Sequence, residues 1–182
     1  MALSITTKCM HLLIAITMIC LICVGIYMSN TETFSLYPIH KSIGIIVFIF
    51  AVYRIVNRIK EGWPTPIGKA SKMQLLLAKM THWGLITMTV VYPISGMMMS
   101  GAGGHGIYVF GLELVAANYD EISGKAVALN EQIASIGHTL HSGLVPIIIA
   151  LIVLHIAGAL KHHFIDKDQT ISRMFSFKNK SK

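Results

Sequence analysis

Nine histidines concentrate the chemistry of this chain. Imidazole can ligate a metal through either ring nitrogen, donate a hydrogen bond or carry a proton. His141 and His155 are fourteen residues apart, just under four helical turns. On one helix their rings would share a face, about 21 Å apart along the axis. Seven more residues bring His162 onto the same stripe, whereas His138 lies about 100° round from His155. The cysteines offer less. Cys20 and Cys23 have metal-like spacing, but with Cys9 as the only other thiol there is no second pair to complete a site, so all three read as packing thiols.

The elements that must position these rings are membrane helices. The 182 residues are 54% hydrophobic and only 13% charged, about half the charged share of a soluble domain, and the mean hydropathy is +0.65. Such a composition excludes a disordered chain, a disulfide scaffold and an ordinary cytosolic enzyme. Four long apolar runs, residues 10–28, 39–59, 81–100 and 142–164, each approach the ~20 residues that cross a bilayer, and none alternates as a strand would. The first run is too long for a signal-peptide core and is read as a membrane helix. The expected fold is all-α, a single integral membrane four-helix bundle over 1–182, with a 101–136 loop holding a short surface helix and a 165–182 tail.

The net charge of +7 is read as a topology signal, with no nucleic-acid partner expected. Arg54 and Arg58 near the end of run two, with Lys60, Lys69, Lys72 and Lys79, precede run three; Lys161, Lys167, Arg173, Lys178, Lys180 and Lys182 lie in or after run four. The 101–136 loop instead carries Glu113, Asp120, Glu121 and Glu131 against Lys125, a formal −3. The positive-inside rule therefore puts both termini and the Trp63-Pro64-Thr65-Pro66 segment in the cytoplasm. The prolines should also stop the second helix.

With that orientation the histidines pair by depth. His40 and His141 fall near the outer surface, and His11 and His155 towards the inner one. Two pairs of inward-facing neutral imidazoles suit the axial positions of two b haems. A closed zinc site wants about four ligands, and a proton relay wants carboxylates that the helix cores lack. His82 has a depth similar to His11 and stands as the alternative inner ligand. Arg54 and Arg58 are either haem-propionate partners or inside-positive anchors. His162, beside His163 and Lys161, belongs either to an interfacial cluster or to a quinone-headgroup site. His105 and His138 read as a loop and an interfacial residue. Pro93 and Pro146 read as kinks, the eleven methionines as packing, and Gly44, Gly96 and Gly143 as places where a backbone approaches a macrocycle or another helix.

Several stretches, taken in order, resemble the bacterial di-haem cytochrome b561 family. They are Met10-His11-Leu12, Pro38-Ile39-His40-Lys41-Ser42-Ile43-Gly44, Trp63-Pro64-Thr65-Pro66, His82 eleven residues before Pro93, and the His141–His155 pair. The most specific stretch runs from His162-His163-Phe164-Ile165-Asp166-Lys167-Asp168-Gln169-Thr170 to Arg173-Met174. The resemblance spans nearly the whole chain and is weakest in the outer loop. It implies a four-helix bundle with one b haem near each face, His40 and His141 on the outer and His11 and His155 on the inner. It also implies an inner-membrane oxidoreductase of superoxide oxidase type, passing electrons from a periplasmic donor, superoxide, to ubiquinone. The alternative is a cytochrome b relay or anchor subunit of a respiratory dehydrogenase or hydrogenase-type complex. The acidic outer loop opposes an anionic donor unless Lys41 or Lys125 makes a local positive pocket.

Overall fold

A computed structural model describes residues 3–63 and 71–176. Its elements are α1 (Ile5–Thr31), a single 3-10 turn, α2 (Tyr37–Glu61), α3 (Lys72–Ala102), β1 (Ile107–Val109), β2 (Leu112–Val115), α4 (Glu131–Gly143), α5 (Val145–Phe164) and α6 (Thr170–Phe175). Among the described residues, α1, the turn with α2, α3, and α4 with α5 make four segments long and apolar enough to cross a membrane. The outward faces confirm what kind of surface they present: Ile16, Ile49 and Leu154 stand about 60% exposed. The shared core is thin, drawn from Ile14, Met18, Leu21, Ile22, Val47, Ala51, Tyr92 and Ile148. A bundle apolar outside as well as inside has lipid as its solvent.

Local chemistry sets the helix ends. Ser4 caps α1 by accepting from the Thr7 N–H, and Pro38 opens α2, where its missing N–H costs nothing. Gly62 ends α2 at a positive φ of 74°. Ser71 and Gln74 form a reciprocal capping box that starts α3, nine residues before the apolar run predicted for it. Pro64, Pro66, Lys69, Lys178, Lys180 and Lys182 lie outside the described residues.

The fourth span also starts early. Asn130 caps α4 through the Ile133 N–H, eleven residues before the predicted 142. Apolar content alone missed this turn because what holds it is a backbone approach. A Cβ on Gly137 would lie 2.5 Å from Met99 N and 2.8 Å from Ser95 O, so only glycine lets α4 lie directly on α3. Leu144 separates α4 from α5, where Pro146 lacks the N–H that would bond the Ser142 carbonyl.

The loop between α3 and α4 holds a β-hairpin in place of the expected surface helix. Phe110 and Gly111 have φ of 48° and 89°, the two left-handed positions of a type I′ turn. The hairpin is clipped onto α2 at Ser42, which is 1% exposed. The Ser42 hydroxyl accepts from the Phe110 N–H at 2.9 Å and donates to the Pro38 carbonyl at 2.7 Å. At the opposite end of the bundle, Glu61 accepts from Ser4 at 2.6 Å and Thr7 at 2.7 Å. Lys8 there donates to the Ser176 carbonyl at 2.6 Å. The molecule thus has a hairpin end and a tail end.

Candidate functional site

Each end of the bundle gathers an imidazole pair. At the hairpin end His40 of α2 meets His141 of α4 with ring centroids 6.4 Å apart. At the tail end His11 of α1 meets His155 of α5 at 6.0 Å. The break at Leu144 does not upset the predicted stripe. His141 still turns into the bundle, while His138 is exposed.

Second contacts hold these rings. His141 Nδ1 donates to the Tyr92 carbonyl at 3.1 Å and lies 3.1 Å from Ser95 Oγ. That bond fixes the tautomer and leaves Nε2 free with a lone pair. The ring also stacks on Tyr92, centroids 4.3 Å apart. Gly96 makes room, since a Cβ there would lie 3.0 Å from His141 Cε1. Gly25 does the same for His40 at 3.3 Å. Neither Tyr92 nor Ser95 was singled out from the sequence, because their roles depend on the α3–α4 contact.

The tail end is crowded and basic. Arg54 Nη2 lies 3.2 Å from His11 Nδ1. Arg58 bonds the Gly62 carbonyl and lies 5.9 Å from the Trp63 ring centroid. Both Nε atoms are buried without a hydrogen-bond partner among the described residues. His82 closes on His155 at 5.0 Å, and its Nδ1 donates to the Ala78 carbonyl at 2.6 Å. His162 is not part of this cluster. Its Nδ1 lies 2.8 Å from Asp168 Oδ2 and 3.2 Å from Asp166 Oδ2.

Do these residues suit a b-type haem? A metal–imidazole bond of about 2.0–2.1 Å, with roughly 1.1 Å from ring nitrogen to ring centre, puts two rings on one metal about 6.3 Å apart. The His40–His141 and His11–His155 separations match that figure; the 5.0 Å of His82–His155 is too short for it. The Nδ1 of His40 is buried with no hydrogen-bond partner among the described residues, a costly state for a polar atom that has no ligand to serve. Between His40 and His141 lies a small apolar cleft lined by Met18, Leu21, Ile22, Gly44, Tyr92 and Pro93. A Cβ on Gly44 would meet nothing within 4 Å. Gly143, also expected at a close approach, faces open space too. The residues fit the group.

A membrane helical bundle with imidazole pairs of this spacing has the architecture of a membrane b-type cytochrome. Residues 2–177 match the family model described as prokaryotic cytochrome b561. The chain is 36% identical to cytochrome b561 homolog 2 of Escherichia coli (strain K12) over 136 residues, 75% of this chain and 68% of that protein. It is 29% identical to a protein of Yersinia pestis named probable superoxide oxidase CybB, over 75% of this chain and 72% of that one. Cytochrome b561 homolog 1 of Escherichia coli (strain K12) is 24% identical over 90% of this chain and 88% of its own. The chain belongs to the prokaryotic cytochrome b561 family, a family of bacterial membrane proteins that bind b-type haem.

Proposed function

We propose that this chain carries two b haems and moves electrons across the bacterial inner membrane, from a periplasmic donor to ubiquinone. His40 and His141 would hold the haem at the hairpin end, and His11 and His155 the one at the tail end. The observation that carries this reading is the pair of ring separations, 6.4 Å and 6.0 Å, at opposite ends of one bundle. When bound, haem supplies reversible one-electron chemistry that no side chain here offers. The protein contributes orientation: Tyr92 and Ser95 set the His141 ring. Arg54 and Arg58 add positive charge beside the inner pair, suited to haem propionates. His162 is the quinone-site residue, an imidazole that donates to a carbonyl oxygen. Basic residues at the tail end favour a cytoplasmic location for both termini.

Superoxide as donor is supported by the name of the Yersinia pestis relative, probable superoxide oxidase. The relay or anchor-subunit reading is favoured by one observation, the formal −3 of residues 101–136, which repels a small anion. A reduced-minus-oxidised spectrum with pyridine haemochrome quantification tests the core of the proposal. About two haems per chain are expected, falling towards one in His40→Ala and in His155→Ala. A haem-free purified protein overturns it. Quinone reduction by the isolated chain then separates the oxidoreductase from a subunit that needs a dehydrogenase partner.

A further inference from the structure

His162 is built into the tail in a way that a simple hydrogen-bond donor does not require. Its Nδ1 lies 2.8 Å from Asp168 Oδ2, and the Asp168 side chain is only 9% exposed. The other Asp168 oxygen accepts from the Thr170 N–H at 2.8 Å, at the start of α6. The Asp168 N–H returns to the His162 carbonyl at 3.0 Å, closing the loop around the ring. Asp166 is a weaker partner. It lies 3.2 Å from His162, and Lys161 donates to both its oxygens at 2.8 Å and 2.6 Å.

An Nδ1–H held by a carboxylate directs Nε2 away from the tail. Burial pushes the Asp168 carboxyl up, but hydrogen bonds from Thr170 and His162 outweigh it and hold the group below the usual carboxylate range. Asp168 therefore stays an anion beside the imidazole. The helices at this end also carry Lys8 and His11 on α1, Arg54, Arg58 and Glu61 on α2, His82 on α3 and Arg173 on α6, and the Glu61 carboxylate is taken up by Ser4, Thr7 and Asn57. The negative charge in contact with His162 comes from Asp166 and Asp168.

Resting on the quinone assignment above, we propose that the His162–Asp168 pair is the proton donor to the quinone, with Asp168 as its positioning residue. As the quinone takes electrons from the b-type haem, the Nε2–H bond of imidazolium His162 breaks and a quinone O–H bond forms. The ring is left neutral, its Nδ1–H still on Asp168, and Nε2 regains a proton from water. The second proton that completes the quinol comes from solvent.

The test uses the haem-loaded protein, pre-reduced with dithionite and mixed with a water-soluble ubiquinone analogue, with haem reoxidation followed by stopped flow across about pH 5 to 8. Asp168→Asn should lower the maximal rate about tenfold or more near neutrality, with the half-saturating quinone concentration unchanged. Its pH profile should move towards acid. Asp168→Glu should recover much of the rate. Nitrogen-15 NMR of labelled histidine, with His162→Gln for assignment, should show the doubly protonated ring persisting to higher pH in the parent than in Asp168→Asn. If His162→Ala slows reoxidation while Asp168→Asn matches the parent in profile and NMR, proton donation by the pair is refuted and the quinone site stands. If His162→Ala reoxidises like the parent, the quinone assignment itself falls.

Discussion

Two histidines, His11 and His82, compete on sequence to ligate the haem proposed at the tail end, and removing each in turn gives a sharp prediction. Both contact His155, at ring separations of 6.0 Å and 5.0 Å. Two imidazoles sharing a metal need about 6.3 Å. His11 therefore needs a shift of a few tenths of an ångström, while His82 and His155 would have to part by about 1.3 Å. Moving His82 outward also breaks its 2.6 Å bond to the Ala78 carbonyl, at roughly 1 kcal/mol. His11→Ala should accordingly cut haem content by about half, leaving the hairpin-end pair loaded. His82→Ala should keep both haems and change the spectrum of one only slightly. The assay is pyridine haemochrome per mole of protein, with low-temperature spectra to resolve the two α-bands. A half-loaded His82→Ala beside a fully loaded His11→Ala would refute the distance argument.

Other consequences are simpler to state. Gly96→Val should displace His141, because even a Cβ would lie 3.0 Å from its ring; haem content should fall at the hairpin end, whereas Gly143→Ala, with nothing within 4 Å, leaves it intact. Ser42→Ala strands the Phe110 N–H and should cost about 1–3 kcal/mol locally, seen as faster proteolysis of the hairpin with unchanged haem. A cysteine placed at Ile122, which is 98% exposed, in a background lacking Cys9, Cys20 and Cys23, should react with a membrane-impermeant maleimide from the periplasmic side. Labelling only after the membrane is permeabilised would reverse the proposed orientation.

The first three apolar runs each fall inside an observed helix, and the fourth within α4 and α5, because the cost of burying polar groups in lipid leaves a plain hydropathy signature. Helix starts were less legible. The capping box at Ser71 and the Asn130 cap lie in polar sequence that hydropathy does not count. The hairpin was missed because a type I′ turn through Phe110-Gly111 lacks the usual Asn or Asp signal. It is held by Ser42, a residue 68 positions away from Phe110.

For the histidines the division is similar. Helical periodicity along one segment determined that His141 and His155 share a face, since spacing on a rigid helix needs no knowledge of its neighbours. Depth then nominated His40 for one and His11 or His82 for the other. What each ring touches was decided only by tertiary structure. The Tyr92 and Ser95 contacts to His141, the grip of Asp168 on His162, and the difference between the 6.0 Å and 5.0 Å separations of His11 and His82 from His155 were all set outside any single helix. Side-chain distances across a bundle depend on how closely backbones pack, and that is set at glycines such as Gly96 and Gly137 by the shape of the facing helix.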